Sequence, residues 1–311
     1  MDENEQLVRI IKQASFPMTP AVPPPLPPEW ELSTFLSAAF SSSPIRAVLF
    51  DVYGTLFCSA AGDISLGDKE SGGAAGENLD ALAREYDPVL SGEDLREYFK
   101  RRVAALHREQ GGLYPEVQVD EIWMEFLREH GCPSGAVYGR ELALRYELAV
   151  NPVYPMPGAG ETIAALAASH CMLGIISNAQ FFTPLLFEAF LGGLPEKIGF
   201  DPALLFYSFE MGEAKPSGRL FNAASGALAS LGIKPEQCLF VGNDMFTDVW
   251  GAQTACKGDS GFLTCLFAGD GRSLRLREGD ERIGDIRPSC VIHRLQDIPR
   301  LIFSADMPKI K

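Results

Sequence analysis

Residues 46–57 read RAVLFDVYGTLF. Ala47, Val48, Leu49 and Phe50 form a short continuous apolar run, the pattern of a strand buried on both faces of a parallel sheet. The run stops at Asp51, a carboxylate too costly to bury without partners. Gly54 and Thr55 then break the pattern. A strand thus delivers Asp51 to its C-terminal edge, where open α/β sheets hold their ligands. The plain alternative is an Asp that ends a strand and begins a turn.

Three later stretches repeat the arrangement. Leu173 to Asn178 (LGIISN) is an apolar run ending in Ser177 and Asn178. Lys215 lies in EAKPSGRLF, just before an expected helix. Leu239 to Val241 leads into GNDMFTD, with Asn243, Asp244 and Asp248. The order Asp, Ser, Lys, acidic pair, mostly at strand ends, resembles the haloacid dehalogenase-like (HAD) hydrolase superfamily over about residues 45–303. DVYGTL is similar to its first motif, Ser177 to its second, Lys215 to its third and 242–248 to its fourth. Four motifs in order are far more specific than any one.

Length and composition set bounds. A chain of 311 residues is long enough for a sizeable core and more than one domain. The net charge of −14 argues against nucleic acid or an anionic membrane as partner. No apolar run approaches a membrane span. MDENEQ at the start does not read as a signal peptide. The seven scattered Cys, without a CxxC pair, point to buried thiols in a reducing, cytoplasmic setting.

Leu7, Ile10 and Ile11 predict a helix over 4–14. Residues 17–28 hold seven prolines and predict a stiff extended strap. Trp30 to Phe40 predicts a further short helix, and Ser59 to Gly76 a long loop. Apolar faces at 95–106, 122–127 and 142–148 predict helices, with Ser91 as a cap and Gly111 as a stop. Beyond Pro155 strands alternate with helices, including one expected over 246–256. This predicts a doubly wound parallel sheet. The domain reading is 1–44 as helix and strap, 45–58 with 155–311 as the α/β core, and 59–154 as an inserted helical segment. The resemblance implies that this segment is a cap that selects the substrate.

The resemblance also implies chemistry. Asp51 would be the nucleophile, giving an aspartyl-phosphate. Mg²⁺ would bridge the anions, held by Asp51, the Tyr53 carbonyl and Asp244, with Asp248 holding a metal-bound water. Asn243 stands where many relatives have the acidic ligand, so the choice between Asn243 and Asp244 is open. Thr55, Ser177, Asn178 and Lys215 would bind the phosphoryl oxygens. Two departures matter. Phosphatases of the family usually carry an acid/base Asp where this chain has Tyr53, whose ordinary pKa of about 10 makes it a poor base near neutrality. DxYGTL is instead the pattern of the 2-haloacid dehalogenases, which need neither that proton nor a metal. The acidic pair of the fourth motif favours Mg²⁺, because carboxylates converging without a cation repel. The expectation is therefore a Mg²⁺-dependent phosphatase of a small phosphorylated metabolite. The alternatives are a 2-haloacid dehalogenase and an inactive HAD-like binding protein. His107, His130, His170 and His293 read as structural. Arg96, Lys100, Arg101 and Arg102 read as a solvated helix face, with an anion contact as the alternative.

Overall fold

A computed structural model describes residues 2–30, 44–59, 74–169, 171–255 and 261–304. The chain opens with α1 (Glu3–Ala14), followed by the extended proline segment and a 3-10 turn at Pro28–Trp30. Then come β1 (Ala47–Phe50), β2 (Phe57–Ser59), α2 (Ala74–Tyr86), α3 (Gly92–Gln110), α4 (Val119–Glu129), α5 (Ala136–Val150) and β3 (Val153–Pro155). The α/β part continues with α6 (Ala159–Ala168), β4 (Met172–Ser177), α7 (Thr183–Leu191), β5 (Phe200–Tyr207), α8 (Gly218–Ser230) and β6 (Cys238–Gly242). It ends with β7 (Leu263–Phe267), β8 (Cys290–Ile292) and α9 (Asp297–Ser304).

Six strands form one parallel sheet in the order β5-β4-β1-β6-β7-β8. The four residues of β1 are fully buried, as their continuous apolar run predicts. β1 lies between β4 and β6, with Phe50 in register with Ile175 and Val241. The ends of these three strands therefore converge on one edge. The strand order steps away from β1 in both directions, which makes this edge the switch point of a doubly wound sheet. The expected fold class is the observed one.

Helices α2 to α5 are inserted between β2 and β3, which pair antiparallel. Ser91 caps α3 through a capping box, and Gly111 ends it with a positive φ. Helix α2 was not expected. Its first turns carry Gly76 and little apolar periodicity, and its burial rests on Leu79, Leu82 and Ala83. The expected helix at 30–40 and most of the expected loop at 59–76 fall outside the described residues. Helix α1 packs on α5 and α7, with Glu3 bonded to Arg140 at 2.8 Å and Gln6 to Glu141 at 2.8 Å.

One expected helix is built differently. Residues Met245–Trp250 form a turn of π-helix, followed by a single α turn at Gly251–Thr254. The amides of Asp248 and Val249 both donate to the Asp244 carbonyl at 3.1 Å. The widened turn lets the Asp248 carboxylate fold back onto the amides of Asn243 and Asp244. Such insertions are frequent at functional sites.

The turn after β1 depends on Gly54. Its φ is +82°, and a Cβ there would lie 2.6 Å from the Ser273 Cβ and 2.7 Å from Asn243 Nδ2. Gly54→Ala should therefore cost about 2 kcal/mol or more, from the left-handed backbone and the clash together. Urea unfolding checks this; a loss below about 0.5 kcal/mol would contradict it.

Candidate active site

Asp51 continues the β1 ladder, its amide donating to Val241 at 2.9 Å. Its side chain is buried to 6 % exposure at the edge where β4, β1 and β6 end. Asp51 Oδ1 accepts from Lys215 Nζ at 2.7 Å and from Ser177 Oγ at 3.0 Å. Lys215 also reaches Asp248 Oδ1 at 2.6 Å and stacks over Phe240 at 5.5 Å. One buried ammonium thus joins two buried carboxylates. The other Asp248 oxygen accepts the amides of Asn243 and Asp244 at 2.9 and 3.0 Å.

Burial pushes the Asp51 carboxyl above its ordinary range, and Lys215 pulls against it. Asp248 is raised by burial too, with Lys215 again opposing and Asp51 and Asp244 adding to the rise. Burial alone would lower Lys215, but the two carboxylates outweigh it and keep the ammonium protonated.

The expected residues come together, with some serving one another. Asn178 clasps Lys215, accepting its amide at 2.6 Å and donating to its carbonyl at 3.5 Å. Thr55 donates its hydroxyl to Asn243 at 3.0 Å and its amide to Val52. Asn243 in turn donates to the Ser273 carbonyl at 2.7 Å. The Tyr53 hydroxyl is bonded to Thr183 Oγ1 at 2.9 Å, at the start of α7. The cleft, about 370 Å³ with its open mouth, is lined by Asp51, Tyr53, Asn178, Lys215, Asn243 and Asp244, and by four further residues. Two of those four, Arg275 and Arg277, were missed. The sequence signal was SLRLR at 273–277, which puts alternate residues on one side of an extended segment. Leu274 is buried and Leu276 packs with it, while both arginines line the cleft. Arg101 stacks on Tyr98 and Arg102 pairs with Glu125; neither lines the cleft.

Arg277 bears directly on the expected metal. Its Nη2 donates to Asp244 Oδ2 at 2.5 Å, and its Nε lies 3.1 Å from Oδ1. Asp244 Oδ1 also accepts the amides of Phe246 and Thr247 at 2.7 and 3.3 Å. Both oxygens of Asp244 are thus taken, as are both of Asp248 and both ends of Asn243. Among the described residues no cluster of three or more His, Cys, Asp or Glu is arranged to hold a metal ion. As arranged, these side chains do not fit Mg²⁺ between Asp51 and Asp244.

A family model for haloacid dehalogenase-like hydrolases matches residues 45–255, more than half of the chain. The chain belongs to this family. Several solved structures are similar to this chain. A 2-haloacid dehalogenase from Pseudomonas syringae pv. tomato is 19% identical, with TM-score 0.49, covering 84% of this chain and 99% of the other. A HAD phosphatase from Thermococcus onnurineus is 20% identical, with TM-score 0.48, covering 83% and 98%. YfnB of Bacillus subtilis, described as bound to magnesium, is 20% identical, with TM-score 0.46, covering 84% and 99%. A comparison with curated proteins gives no match. Among the described residues no helix is long and apolar enough to cross a membrane.

Charge pairing sets what substitutions here should do. Asp51→Asn leaves Lys215 paired with Asp248, so the fold should survive it. Lys215→Met leaves two buried carboxylates facing each other and should cost about 3–5 kcal/mol. A raised carboxyl binds more protons in the fold than in the unfolded chain. Its stabilising contribution is therefore present below the ordinary carboxyl pKa and lost as pH rises through the raised value. The Lys215→Met deficit should shrink between about pH 7 and about pH 5, read by urea unfolding. An equal deficit at both pH values would contradict the charge account.

Proposed function

We propose that this HAD-like hydrolase attacks a small anionic substrate with Asp51, forming a covalent ester, and that the displaced group leaves as a stable anion. Lys215 and Ser177 hold Asp51 Oδ1, and the proposal assigns attack to Oδ2. Lys215, kept protonated, limits the build-up of negative charge as the substrate approaches.

The leaving group follows from what surrounds Asp51. General acid help is worth about 10²–10⁴-fold where a proton donor is at hand. Here the Tyr53 hydroxyl is engaged with Thr183, and the carboxyls of Asp244 and Asp248 are engaged with Arg277 and Lys215. A halide needs no proton. The cleft also sets three carboxylates, Asp51, Asp244 and Asp248, against three cations, Lys215, Arg275 and Arg277. A balanced site takes a monoanion more readily than a dianion.

Both arguments favour a 2-haloacid over a phosphoric monoester. Asp51 would displace halide from carbon, the halide taking the bonding pair. Water would then cleave the ester, releasing the hydroxy acid and a proton and restoring Asp51. The observation that carries this reading is the pairing of Asp244 with Arg277. The acidic pair of the fourth motif calls for Mg²⁺ only where it lacks a countercharge, and each member has one. The phosphatase remains the second reading, favoured by the presence of Asp244 and Asp248 at all, since carbon chemistry does not call for both. The intact array of Asp51, Lys215 and Asp248 argues against a binding protein without activity.

Halide release from 2-chloropropionate with a chelator present, beside phosphate release from an aryl phosphate with Mg²⁺, tests this. Halide release that is unchanged by the chelator and abolished in Asp51→Asn is expected. Phosphate release that needs Mg²⁺, with no halide release, would overturn the reading.

A further inference from the structure

We infer that Arg277 is the resident countercharge of Asp244, held where a divalent ion would otherwise sit, and that it keeps the cleft closed to such ions. The pairing is two-pronged. The guanidinium meets both carboxylate oxygens, the geometry in which an Arg competes best for a carboxylate.

The backbone is built to hold it there. Arg277 has φ +57°, the only positive φ at a residue other than glycine among those described. A left-handed conformation at such a residue is costly and persists only where its surroundings enforce it. The enforcement is visible. Arg275 donates its amide to the Asn243 carbonyl at 3.0 Å and accepts from the Met245 amide at 2.9 Å. The segment thus runs beside the fourth motif. Leu274 packs with Met245 and Phe246.

The proline strap clamps the base of the same segment. The Ala21 amide donates to Asp270 at 2.9 Å, and the Gly271 amide donates to the Ala21 carbonyl at 2.8 Å. Arg272 reaches the Thr19 carbonyl at 3.0 Å. Gly271 admits no side chain here, because a Cβ would lie 2.3 Å from the Val22 carbonyl oxygen. Leu26 and Trp30 pack into the cluster that holds Met245, Phe246 and Leu274. Both the strap and the arginine segment lie outside the family match at 45–255. Two segments far apart in the chain therefore cooperate to place one guanidinium on a residue of the fourth motif.

The inference depends on the functional reading only for its catalytic consequence, because ion binding is measured without substrate. The test is calorimetric titration of MgCl₂ into the full-length parent, Arg277→Gly and Arg277→Gly/Asp244→Asn. Glycine suits the positive φ, so the single variant should fold. The expected result is no saturable binding by the parent. Arg277→Gly should bind one ion at least about tenfold more tightly than any parent signal, the scale of a charge-assisted contact removed from the competition. The double variant should lose it. Arg277→Gln, which removes the charge but keeps the bulk, covers the case in which the glycine variant misfolds and should also gain binding. Parent binding as tight as that of Arg277→Gly, or no gain in either single variant, would overturn the inference.

Discussion

The structure turns on one ammonium. Lys215 sits between Asp51 and Asp248, all three buried, and supplies the countercharge that both carboxylates share. Much of the surrounding geometry serves this contact. The parallel register of β4, β1 and β6 brings Ser177, Asp51 and Asn243 to one edge. Asn178 fixes the backbone of Lys215. The π-helical turn brings Asp248 back to face it. The inserted helices are tied to the same place. The loop after α3 bonds the segment just ahead of Lys215, Glu116 to Gly212 at 3.2 Å and Ala214 to Tyr114 at 2.9 Å.

A second cation then changes what the acidic pair means. Asp244 and Asp248 look alike in sequence, yet they end in separate ion pairs from opposite sides. Lys215 precedes α8, whereas Arg277 comes from beyond β7. Electrostatic repulsion, the reason to expect a metal, is relieved by the protein itself. The N-terminal helix and strap thereby acquire a place in the account. One end joins α5 to α7, and the other anchors the segment that carries Arg277.

Local pattern revealed what local physics determines. The apolar run of β1 and its terminal Asp51 were legible because burial on both faces leaves a mark in four consecutive residues. Ser91 and Gly111 were legible as cap and stop because capping is a contact over a few residues. The positions of Ser177 and Lys215 were legible through the family order. Side-chain partners were not. Thr55 donates to Asn243 across the sheet edge, and Tyr53 is bonded to Thr183 in a different element. Arg277 lies 33 positions from Asp244. The widened turn at 245–250 was not legible because its apolar spacing is that of an ordinary helix, while its cause is the tertiary demand on Asp248.

The central claim is that Asp51 carries the substrate covalently. Rapid quenching during turnover of a 2-haloacid, followed by mass analysis of the peptide containing Asp51, tests it most directly. The account predicts a mass increase on Asp51 equal to the acid without its halogen, absent in Asp51→Asn. Turnover in ¹⁸O water with enzyme in excess should also leave the label in the Asp51 carboxylate, because water opens the ester at its carbonyl carbon. Label appearing directly in the product, with Asp51 unmodified and unlabelled, would mean that water attacks the substrate itself and would contradict the account.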